Sequence, residues 1–147
     1  MKLNNRKLKK EIDQKGYTVI ENFYNKKKLS EIKKSLLDIL NYVRPSKEKD
    51  LQKKYYEIKK LNPKLKSNFY DIAPYNIDMI KGIHTPELIN FVKYFFKTKT
   101  LFTGRAAIHV HDEDNDKILL PHQETNQFAR DCILFWMPLW DTNVKTG

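Results

Sequence analysis

Apolar positions in the first hundred residues recur at helical intervals. Leu8 and Ile12 share one side of residues 6–15, and Gly16 ends that segment. After Asn25, a helix N-cap by residue type, Leu29, Ile32, Leu36, Leu40 and Val43 return every three or four residues until Pro45. That spacing predicts one apolar stripe on a helix of about five turns. Leu51, Tyr55, Ile58 and Leu61 predict another helix within the lysine-rich residues 46–61. "FYDIAPYNIDMIKGI" reads as a turn into a short helix beginning near Pro74. Thr85, Pro86 and Glu87 then supply three concordant start signals: a cap, a proline whose missing N–H is not needed, and an acid in the first turn. Leu88, Phe91, Val92 and Phe95 give that helix its apolar face, which reads as core rather than as a ligand box.

Other stretches carry a period of two. "YTVIENF", residues 17–23, is rich in β-branched and aromatic residues and predicts a strand. From residue 101 "LFTGRAAIHVH" alternates, with Ala106, Ile108 and Val110 on one face and Arg105, Ala107, His109 and His111 on the other. "DEDND" reads as a charged, solvated turn; it lacks the glycine and closing glutamate of a calcium loop. "KILLP" predicts a second strand running into His122, and "DCILFWMPLW" a third that is buried on both faces, since polar residues do not alternate in it. Helices first and strands afterwards predict an α+β arrangement. At 147 residues the chain suits one domain, with 1–100 mainly helical around a first strand and 101–147 carrying core strands.

Charge is unevenly placed. Residues 1–66 hold 20 Lys+Arg against 8 Asp+Glu, while residues 67–147 hold 8 against 10. Specific readers of nucleic acid lean on arginine for bidentate contacts, and the chain has four. The lysines fall on the polar faces of amphipathic helices, so solvated faces are the preferred reading and a basic nucleic-acid-binding protein the weaker one. No apolar run approaches the roughly 20 residues that span a bilayer, and no apolar segment follows the basic N-terminus; a membrane is not an expected partner. The single cysteine, Cys132, excludes an internal disulfide, fits a cytoplasmic location and reads as a small buried hydrophobe.

The candidate chemistry lies in "HQE". On an extended segment His122 and Glu124, two residues apart, point to one side, so an imidazole and a carboxylate can converge. With a second histidine they would form the two-histidine, one-carboxylate face of non-haem iron(II) oxygenases. Taken alone the triplet is a weak signal, and a solvated strand end is the preferred reading.

Its surroundings narrow the reading. "GYTVIENFYNKKKLSEIKKSLLDIL", then "YDIAPYN" and "TPELINFVKYFF", then "PHQE" and "WMPLWDTNVKTG" together resemble the phytanoyl-CoA dioxygenase family of iron(II)/2-oxoglutarate-dependent oxygenases. The resemblance implies a partial double-stranded β-helix of the jelly-roll or cupin type beneath the N-terminal helices. It implies Fe(II) as metal, 2-oxoglutarate as cosubstrate and a small molecule as substrate. His122 and Glu124 would be metal ligands, with glutamate where the family more often has aspartate. Trp136 would line the 2-oxoglutarate pocket, and Arg105 and His109 would reach cosubstrate or substrate. The family's distal histidine and its basic 2-oxoglutarate anchor have no counterpart before Gly147. The expectation is therefore an N-terminal portion of the domain, truncated at its C-terminus, whose missing strands come from a continuation or a second chain. The alternative is a catalytically inactive remnant or binding module on the same scaffold.

Overall fold

Short polar side chains open every α-helix among the described residues, each satisfying backbone N–H groups that the first turn leaves unpaired. The computed structural model describes residues 3–101, 106–110 and 132–142. Asn4 caps α1 (Asn5–Lys15), Asn25 caps α2 (Lys26–Val43) and Asp50 caps α3 (Leu51–Leu61). Asn62 caps α4 (Pro63–Ile72), Asn76 caps α5 (Ile77–Ile83) and Thr85 caps α6 (Pro86–Phe96). A 3-10 turn, Ala73–Tyr75, joins α4 to α5. α1 ends as expected at Gly16, whose φ of 80° is the left-handed conformation that glycine adopts without a Cβ clash.

The chain divides into two units, Met1–Ile108 and His109–Gly147. In the first, α2 is the central element, packed on α3, α4 and α5, while α1 lies on α6. Ile32, Leu36, Ile39 and Leu40 of α2 meet Tyr55 and Ile58 of α3, Phe69 of α4 and Met79 of α5 in the core. Leu40 and Ile58 are wholly buried, each contributing about 1.5–3 kcal/mol. Tyr55, Phe69 and Tyr70 form an aromatic cluster, closed by a 2.9 Å bond between the Tyr55 and Tyr70 hydroxyls. α5 comes close to α2 at Gly82, where an added Cβ would lie 2.9 Å from Ile32 Cδ1.

Two expectations are corrected, and one helix was not foreseen. α3 falls within residues 46–61 on the expected apolar positions and begins at Leu51, because Asp50 Oδ1 accepts the Lys53 N–H at 2.9 Å and fixes the start. The spacing of apolar residues does not predict α4, which buries Phe69 alone and so carries no stripe. The helix expected near Pro74 starts at Ile77, after the 3-10 turn.

The second correction concerns fold class. Regular structure among the described residues is helical, with no strand or sheet, which overturns the α+β arrangement and its partial β-helix. A strand exists by pairing its backbone with a neighbour, and alternation supplies no neighbour. Residues 17–20 have the alternation but no ladder: Tyr17 and Val19 are 64% and 68% exposed, and Asn22 turns the chain with φ 52°. The Thr18 hydroxyl instead donates to the Glu11 carboxylate, holding that carboxyl below its ordinary range. Residues 106–110 are irregular. So are 132–140, where Pro138 lacks a ladder N–H; Leu134, Phe135, Trp136 and Trp140 are exposed instead of buried on both faces. "KILLP", "DEDND" and "HQE" lie outside the described residues. Among the described residues no helix is long and apolar enough to cross a membrane.

Candidate functional site

Two of the five expected site residues, His109 and Trp136, lie among the described residues, both in the His109–Gly147 unit. Twenty-six residues separate them, yet their rings stack, with centroids 5.7 Å apart and planes 28° from parallel. Pro138 contributes locally, since it biases Met137 away from helical backbone. Both rings are exposed, Trp136 to 68%. Stacking engages the imidazole's face and leaves its two nitrogens at the ring edge, the direction in which an imidazole ligates or hydrogen-bonds.

The other three, His122, Glu124 and Arg105, lie outside the described residues, as does His111. Among the described residues no group of three His, Cys, Asp or Glu side chains is placed to hold a metal. His84 serves the helical unit: its Nδ1 lies 2.8 Å from the Ile80 carbonyl oxygen at the end of α5, which requires a proton on that nitrogen. Cys132 is half-buried rather than a core residue.

Two features of the helical unit escape the sequence reading. The first is a cleft of about 240 Å³ lined by Phe23, Tyr24, Asn25, Lys28, Thr85 and Glu87. It forms where the N-termini of α2 and α6 approach, so the caps Asn25 and Thr85 were its signal. The Tyr24 hydroxyl donates to the Gly82 carbonyl at 2.8 Å, and burial pushes the phenol up to about 12. Lys28 and Glu87 put both signs of charge on its wall.

The second is Lys54, a lysine with no exposed surface. Its ammonium donates to Ser46 Oγ at 2.6 Å and lies 3.6 Å from Glu57 Oε2, while Arg44 Nε lies 3.9 Å from Glu57 Oε1. The cluster ties the loop after α2 to α3. The solvated-face reading of the lysines fails at this position, because Lys54 falls in phase with Tyr55 and Ile58 on the inward side of α3. No family model, curated protein or solved structure matches the chain.

Proposed function

We propose that the chain carries part of the metal site of an iron(II)- and 2-oxoglutarate-dependent dioxygenase of the phytanoyl-CoA dioxygenase type, acting on a small molecule. The observation that carries this reading is the order of motifs: "HQE" at 122–124, then "WMPLWD" at 136–141. A neutral imidazole and a carboxylate are a fitting donor pair for Fe(II). His122 offers a ring nitrogen and Glu124 a charged oxygen. The stacking of His109 on Trp136 supports it further, since two residues assigned to the cosubstrate side lie together. Arg105 is assigned to an anionic group of cosubstrate or substrate. Bound iron(II) with 2-oxoglutarate supplies oxidative C–H hydroxylation, while the chain's residues bind, orient and exclude water.

The test is paramagnetic. Mn²⁺ titrated into the ¹⁵N-labelled chain should first broaden resonances at and beside His122 and Glu124. His122→Ala or Glu124→Ala should weaken binding by at least about 10-fold, the lower end of what outer-shell partners contribute. Added 2-oxoglutarate should tighten Mn²⁺ in the wild type. Broadening centred on residues 112–116 and indifferent to both substitutions would defeat the reading. Binding at His122 and Glu124 that ignores 2-oxoglutarate would favour the non-catalytic binding module.

A further inference from the structure

One face of α3 turns lysines to solvent with a single carboxylate, Glu57, among them. Lys53, Tyr56 and Lys60 follow one another at i, i+3 and i+7, opposite the buried Tyr55 and Ile58. Asn62 and Pro63 then turn the chain into α4, which presents Lys64 in its first turn. From residue 53 to residue 66, six lysines meet one acid, Glu57. That carboxylate is engaged by Lys54 at 3.6 Å and Arg44 at 3.9 Å. Lys53, Lys60 and Lys64 form no ion pair among the described residues. The next exposed acid, Asp71, lies about two turns further along α4. Apolar surface is interspersed with these charges: Tyr56 is 39% exposed and Leu61 54%.

We propose that this α3–α4 face docks on the surface of a membrane rich in anionic lipid headgroups. Lysine stems can lie along the interface while their ammonium groups meet the lipid phosphates. Tyr56 and Leu61 add the apolar contact that distinguishes adsorption from counter-ion attraction. Adsorption needs no spanning segment, so the lack of a helix able to cross a bilayer among the described residues does not oppose it. A single-stranded nucleic acid is the rival polyanion, and the surface suits it less. Such strands favour a groove with open aromatic faces. Here the surface is the convex outside of a helix, Lys59 Nζ lies 5.8 Å from the Tyr56 ring centroid, and Tyr55 meets that ring edge-on at 5.6 Å. Neither α3 nor α4 contains arginine.

Co-sedimentation of the whole chain with phosphatidylcholine vesicles, with and without phosphatidylserine, tests the proposal. The chain should pellet with the anionic vesicles only, less so as salt rises. Lys53→Gln, Lys60→Gln and Lys64→Gln should each lower partitioning about five-fold. Tyr56→Ser with Leu61→Asn should lower it further at unchanged charge, an effect that diffuse attraction would not produce. Lys26→Gln with Lys27→Gln, exposed on α2, should change it much less. Far-UV circular dichroism verifies that each variant keeps its helices. The proposal is overturned by absence of binding at low salt, by equal losses from the α2 pair, or by indifference to the Tyr56 and Leu61 changes. It is also overturned if polyuridylate binds the chain more tightly than the vesicles do.

Discussion

Gly82→Ala places a methyl group at the tightest contact between α5 and α2. The new Cβ would lie 2.9 Å from Ile32 Cδ1 and 3.5 Å from Cγ1. Ile32 is 1% exposed, so its terminal methyl can move only by displacing packed neighbours. Overpacking of this kind costs about 1–3 kcal/mol. Replacing a helical glycine by alanine returns about 0.8–1 kcal/mol, leaving a net loss of about 0–2 kcal/mol. A single substitution is thus a weak test, and the decisive one adds Ile32→Val. That change removes Cδ1 and leaves Cγ1 as the nearest atom, at 3.5 Å, an ordinary contact. Ile32→Val alone should cost about 0.5–1.5 kcal/mol. In its presence Gly82→Ala should keep only the helix-propensity gain and stabilise the chain by up to about 1 kcal/mol. The four variants form a cycle with a coupling of about 1–3 kcal/mol. Urea unfolding followed by helical circular dichroism measures it. Additive losses, within about 0.5 kcal/mol, would mean that the two residues do not press on one another.

Two further outcomes follow from groups buried in the helical unit. Lys54→Met should change stability by less than about 1 kcal/mol, because methionine fills the space while Ser46 and the 36%-exposed Glu57 side chain regain water. Glu57→Gln should cost about 1–3 kcal/mol by removing the counter-charge beside a buried ammonium; thermal unfolding that ranks the two the other way round would contradict the account. Tyr24 holds its proton more tightly in the folded chain, at about 12 against an ordinary 10.0. Its contribution is therefore intact below pH 10 and is lost as pH climbs through 12. Ultraviolet titration of the eight tyrosines should show a late phenolate near that pH that Tyr24→Phe abolishes. An unchanged titration in the variant would dismiss the assignment.

The helices were legible because two independent signals coincide at their starts. At Thr85, Pro86 and Glu87 a cap, a proline and an acid agree, and α6 begins there. α2 likewise follows Asn25 and keeps the stripe read from Ile32, Leu36 and Leu40. Asn62 and Pro63 repeat the cap-and-proline signal before α4, but the helix they open has one buried residue and hence no periodicity to find. The strands expected among the described residues failed for a different reason. Alternation states which side chains would share a face, whereas a ladder also requires a second backbone within hydrogen-bonding reach. Nothing in "YTVIENF" specifies that partner, and Tyr17 and Val19 point to solvent.

The candidate residues were legible to different depths. His122 and Glu124 are close in sequence, so their common side follows from backbone pitch alone, given an extended segment. The contact between His109 and Trp136 joins residues far apart along the chain, and no periodicity within either segment contains it. Lysine illustrates the same limit inside a single helix. Lys53 and Lys54 are neighbours of one chemical type in a run with one carboxylate. A rotation of about 100° per residue sends the first to solvent and the second into the core. Buried, Lys54 engages Glu57 and leaves the outward lysines unneutralised. The charge count that suggested a uniformly solvated face therefore combined two populations, an internal pair that holds α3 and an external row available to an anionic surface.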